Sequence, residues 1–133
     1  MSPGSGKQKS DLGERTTRFG QAILGLAKKI PDVTANRPLI RQVVAAGTSI
    51  GANYREADNA SSDRDFCYKM AICRKEASET TYWLRMVATA EPACKQEARS
   101  LWREARELHL IFAKIVRDMQ RRLEEKGGSG NSE

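Results

Sequence analysis

Two carboxylates three residues apart, Glu76 and Glu79, are the first groups in this chain that could do chemistry. Set against Glu-x-x-His pairs on facing helices, such residues build a di-metal site inside a helix bundle. The chain contains no Glu-x-x-His. Its one histidine, His109, repeats at seven-residue spacing with Trp102, Val116 and Leu123, which reads as a packed core histidine. Cys67, Cys73 and Cys94 lack metal-ligand spacing and have apolar helical neighbours, so they read as core filling. There is no Gly-rich phosphate loop and no supported Ser/His/Asp set. The reading is a protein that is not an enzyme, with no metal and no cofactor.

A polar line is more informative. Gln42, Ser49, Asn53 and Glu56 fall on one face of a helical segment and border its apolar stripe. Glu76 and Glu79 lie between Ile72 and Trp83 on the next segment. Polar groups this close to a core cost about 1–3 kcal/mol each when unpaired. The expectation is therefore a structural polar network of these six residues, meeting across two helices and fixing their register. A ligand or nucleic-acid contact, or a metal site, are the other readings of the same line.

The third group is cationic. Arg99, Arg103, Arg106, Lys114, Arg117 and Arg121 recur at helical spacing on a face away from Leu101. Phosphate contacts require only such point charges. Glu97, Glu104, Glu107 and Asp118 are interspersed, and local pairing with the arginines would make a salt-bridged, solvated face instead. The formal net charge of +6 is concentrated on the terminal segments, with nine basic against six acidic residues between 95 and 126. That excess favours anionic partners such as RNA or DNA, although it also serves plain solubility.

The elements that must position these groups are four helices. The first is expected from about Asp11 to Ile30, with Asp11 and Glu14 as a capping box and Pro31 as the stop. Its stripe is Thr16, Phe19, Ile23, Leu26 and Ile30. The second spans about 37–59, behind Asn36 as N-cap. Gly47 and Gly51 lie one turn apart in it, and glycine is costly inside a helix, so another helix is expected to approach closely there. The third spans about 63–90 behind a Ser62 cap, and the fourth about 92–125. Heptad spacing and short connections predict an all-α, antiparallel up-and-down four-helix bundle. One such domain over 11–125 is flanked by flexible tails at 1–10 and 126–133.

The apolar faces of the third and fourth helices are wider than one core requires. A homo-oligomer is expected, with Tyr54, Trp83, Trp102, His109 and Ile111 at the subunit interface. The longest apolar run, Val43 to Ala46, is too short for a bilayer, so no membrane partner is expected. No signal peptide is evident and the cysteines are odd in number, which points to the cytoplasm.

The stretch QVVAAGTSIGANYRE (Gln42 to Glu56), with Phe66 and RKEASETTYWL (Arg74 to Leu84), resembles the four-helix-bundle proteins encoded in intervening sequences of bacterial 23S rRNA genes. The same superfamily includes the accessory variability proteins of diversity-generating retroelements. The resemblance covers roughly residues 12–123 and is carried by Ser49, Ile50, Asn53, Glu56, Glu76, Glu79, Trp83 and Leu84. It implies a homopentamer that binds nucleic acid through basic surfaces and, in the retroelement members, a reverse transcriptase. Val44 or Ala45 stands where many relatives carry arginine, which argues against a contact through that part of the second helix. A purely structural or protein-interaction module is the alternative function.

Overall fold

In a computed structural model the backbone is described for Ser5–Asn131 and the side chains for residues 11–127. Four helices account for nearly all of it: α1 (Ser5–Ala27), α2 (Arg37–Asp58), α3 (Asp63–Ala90) and α4 (Lys95–Asn131). A 3-10 turn, Pro92–Cys94, leads into α4. There is no strand among the described residues. The expected stripes supply the core. Ile23 and Leu26 of α1, Val43 and Ile50 of α2, Leu84 and Val87 of α3, and Leu108, Phe112 and Val116 of α4 are fully buried. α3 packs extensively on both α2 and α4, and α1 packs mainly on α2.

The glycine inference holds. A Cβ at Gly47 would lie 2.7 Å from Cγ1 of Ile23, and one at Gly51 would lie 3.3 Å from the Thr16 carbonyl oxygen. α1 and α2 approach so closely that a Cβ at Gly47 would force something to shift, and one at Gly51 would be tight against the α1 backbone.

Ser62 caps α3 as expected, its hydroxyl accepting from the Asp65 amide at 3.0 Å. Other helix ends differ. α1 begins before Asp11, so Asp11 and Glu14 form no capping box. Lys7, Gln8 and Lys9 are good helix formers, and extending a helix is easier than starting one. At its other end α1 stops at Ala27, not at Pro31; the Lys28 amide still bonds the Leu24 carbonyl, and Lys29 and Ile30 tighten through bonds to carbonyls three residues back. A residue before proline is pushed out of the helical region, which ends the helix early. Asn36 does not cap α2 through its side chain. Its backbone is helical, and its Nδ2 donates to the Pro31 carbonyl at 3.1 Å, tying the connection shut. α4 runs on past Glu125 to Asn131. The helix ends thus differ from the tail boundaries at 10 and 126, and residues 1–4 and 132–133 lie outside those described.

Candidate functional site

The six residues of the polar line do not join one another across α2 and α3. Ser49 Oγ donates to the Ala45 carbonyl at 2.6 Å, and Asn53 Nδ2 donates to the Ser49 carbonyl at 2.8 Å. Both are satisfied by their own helix, four residues back. Gln42 is exposed, and Glu56 turns outward to Lys69 at 2.7 Å. No hydrogen bond among the described residues links any of these to Glu76 or Glu79. The polar network expected inside the bundle is therefore absent within one subunit. Buried hydroxyls elsewhere follow the same local rule: Thr16 donates to Leu12 and Thr80 to Glu76, each at 2.7 Å to a carbonyl.

Glu76 is half-buried and has no cationic partner among the described residues. Burial, and secondarily Glu79, pushes its carboxyl above the usual carboxylate range. The folded state then holds that proton longer than the unfolded state does, so stability is lost as pH rises through the folded pKa. Glu76→Gln is expected to raise the melting temperature at pH 7, and the gain should close below about pH 4. A lower melting temperature at pH 7 would mean that the carboxylate has a favourable partner.

The groups expected at a subunit interface are half-buried and make contacts within the subunit. The Tyr54 ring stands 6.4 Å from that of Phe112. His109 Nδ1 donates to the Arg74 carbonyl at 3.1 Å, tying α4 to α3. Trp102 and Ile111 are half-buried, and Trp102 packs against the core. Trp83 is half-buried and meets the exposed Tyr82 edge-on at 4.9 Å. Tyr68 and Leu110 are also exposed. All three cysteines are buried and free. Burial pushes the Cys73 thiol up to about 12, which suppresses thiolate formation at neutral pH. Among the described residues no group of three His, Cys, Asp or Glu side chains is placed to hold a metal ion.

The cationic face of α4 is the feature that assembles. Arg99, Arg103, Arg106, Lys114, Arg117 and Arg121 are all exposed. At 100° per residue they share one sector with Lys95 and Leu110, opposite the core residues Leu108 and Phe112. No acidic residue between Lys95 and Arg121 falls in that sector. The acids expected to neutralise the arginines point elsewhere. Arg15 of α1 grips Glu104 through two bonds of 2.7 and 2.8 Å and reaches Glu107 at 3.0 Å. Lys29, in the turn after α1, takes Glu97 at 2.7 Å. The Arg15 guanidinium is consequently held well above its ordinary pKa, chiefly by its bond to Glu104. Of the local pairs only Lys114–Asp118 forms, at 2.9 Å, and it holds the Asp118 carboxyl below the usual range. Arg99, Arg103, Arg106, Arg117 and Arg121 make no ion pair among the described residues.

The model of the 23S rRNA-intervening sequence protein family matches residues 8–116. A solved structure agrees with the match. It is a protein of unknown function from the S23 ribosomal protein family of Bacteroides thetaiotaomicron, 31% identical to this chain, with a TM-score of 0.72. The chain belongs to the 23S rRNA-intervening sequence protein family. The alignment with the Bacteroides protein covers 79% of this chain and 97% of that one, so the bundle is common to both. No curated protein matches. The family match takes in all four helices, and it includes Arg99, Arg103, Arg106 and Lys114 of the cationic face while ending before Arg117 and Arg121. Among the described residues no helix of this family member is long and apolar enough to cross a membrane.

Proposed function

We propose that this intervening-sequence family member is a non-catalytic, homo-oligomeric adaptor that binds RNA or DNA along α4. The observation that carries the reading is the division of charge on that helix: Glu97, Glu104 and Glu107 are taken up by Lys29 and Arg15, and Arg99, Arg103, Arg106, Arg117 and Arg121 face solvent with no ion pair among the described residues. Between Lys95 and Arg121 the stripe extends about 39 Å at 1.5 Å per residue, long enough to track several phosphates. Fluorescence anisotropy of a labelled single-stranded oligonucleotide of about 20 residues tests it, with a Kd in the range of about 1–100 μM or tighter expected at low salt. No binding at low salt would refute the reading.

Contacts such as Glu56 with Lys69, Cys73 with the Ile50 carbonyl, and Asp63 with Lys126 support an antiparallel up-and-down arrangement. Assembly as a pentamer and a reverse transcriptase as partner follow the resemblance to the retroelement accessory proteins, and a cytoplasmic location follows the three free cysteines. Self-association is supported by Tyr68, Tyr82 and Trp83 on the outer side of α3, an apolar aromatic surface that one subunit leaves uncovered. The same surface favours the second reading, a purely structural interaction module. Light scattering should give the mass of a multimer, about five subunits for a closed ring. A monomer at micromolar concentration would contradict assembly in either reading.

A further inference from the structure

On the α3 side of the cationic stripe, the last turns of α3 and the first turns of α4 enclose an open cleft of about 480 Å³. That volume lies within the range of about 300–1,000 Å³ usual for small-ligand sites. Leu84, Ala88 and the half-buried Trp102 line it with apolar surface. Four cations border it: Arg85 from α3, and Lys95, Arg99 and Arg103 from α4. No acidic residue lines the cleft, and none of the four cations makes an ion pair among the described residues. Some cations elsewhere are neutralised, while Arg106, Arg117 and Arg121 of the stripe make no ion pair among the described residues. Arg15, Lys29, Lys69, Lys114 and Lys126 each have a carboxylate within 3.0 Å.

Gathering like charges around one concavity opposes folding, and low-dielectric walls focus the resulting field on an anion. An aromatic wall flanked by unpaired guanidinium groups suits one ligand chemistry well. Unpaired nucleobases stack on aromatic side chains, while the phosphates on either side bind arginine. A base inside a duplex is already stacked and cannot reach such a wall. A plain phosphate would need the cations but not Trp102.

We infer that this cleft holds an unpaired nucleotide of a single strand, its base against Trp102 and its flanking phosphates on Arg85, Arg99 and Arg103. The inference rests on the nucleic-acid reading of α4 and deepens it. The cleft opens beside the N-terminal end of the stripe, so a strand seated there continues along Arg106, Arg117 and Arg121. The whole surface then selects single strands over duplexes.

The test uses the full chain carrying Trp83→Phe, which leaves Trp102 as the only tryptophan. Titration with oligothymidylate of about 15 residues should change the Trp102 emission, and a duplex of equal length should not. Trp102→Leu should weaken single-strand binding by on the order of 10-fold or more, and Trp102→Phe should restore most of it. Because Trp102 packs against the core, Arg85→Gln is measured as well. Arg85 is exposed, and its loss should weaken the oligonucleotide without changing the circular dichroism melt. Salt-dependent binding with Trp102 emission and Arg85→Gln affinity both unchanged would overturn the cleft and leave the stripe standing. No oligonucleotide binding would overturn both. A Glu/Tyr copolymer that quenches Trp102 where the oligonucleotide does not would assign the cleft to an acidic protein segment and overturn the nucleotide.

Discussion

Changing Arg103, Arg106 and Arg117 together to glutamine should reduce affinity for single-stranded RNA or DNA by on the order of 10³-fold at fixed salt. Three charge-assisted contacts of about 1.5 kcal/mol each give that factor, since every 1.4 kcal/mol is tenfold. The dependence of log K on log salt should also become shallower by about 2, at roughly 0.7 per lost phosphate contact on a single strand. Fold and assembly should survive. All three side chains are exposed and unpaired among the described residues, and such substitutions usually change stability by under about 0.5 kcal/mol. Anisotropy titrations of wild type and the triple variant, with matched melting curves, check each part. Undiminished binding by the triple variant would remove α4 from the interface.

Gly47→Val should destabilise the protein by about 3 kcal/mol, at the upper end of the usual cost of overpacking a buried site. Even a bare Cβ would meet Ile23 Cγ1 at 2.7 Å, Cγ2 at 3.0 Å and Cβ at 3.2 Å. These are carbons of a branched side chain that is itself fully buried, so they have nowhere to turn. The helix must shift or α1 must separate from α2. Glycine to alanine inside a helix ordinarily gains about 1 kcal/mol. Gly25 provides that contrast, since a Cβ there meets nothing within 4 Å, and Gly25→Ala should stabilise. Adding Ile23→Ala to Gly47→Val should recover part of the loss, as expected for two residues in direct contact. Urea midpoints at equal protein concentration measure all three variants, and a neutral Gly47→Val would mean that the helices are not in this contact.

Much of this architecture was legible in the sequence because it depends on local periodicity. The stripe Thr16, Phe19, Ile23, Leu26 and Ile30 is buried throughout. Gly47 and Gly51 announced the close approach because glycine is costly in mid-helix and the two lie one turn apart on one face. Ser62 announced its cap because the capping group lies three residues away. The errors came where a side chain had a choice of partners. Ser49 and Asn53 border the core, and sequence spacing cannot say whether they bond the facing helix or their own carbonyls. Glu104 and Glu107 lie within a turn of Arg103 and Arg106, so local pairing was the natural expectation. Arg15, 89 positions from Glu104, took them instead, because α1 meets α4 through only a thin seam that long charged side chains can bridge. That single tertiary choice converts a balanced face into a cationic one. Arg85 escaped notice for a related reason, since only folding brings it beside Lys95 and Arg99.

The most direct test of the central claim is the salt dependence of wild-type binding to a single-stranded oligonucleotide. If α4 presents its stripe to phosphates, engagement of four or more gives a slope of log K against log salt of about −3 or steeper, at roughly −0.7 each. A slope flatter than about −1, or no binding at low salt, would contradict a phosphate-binding face on α4.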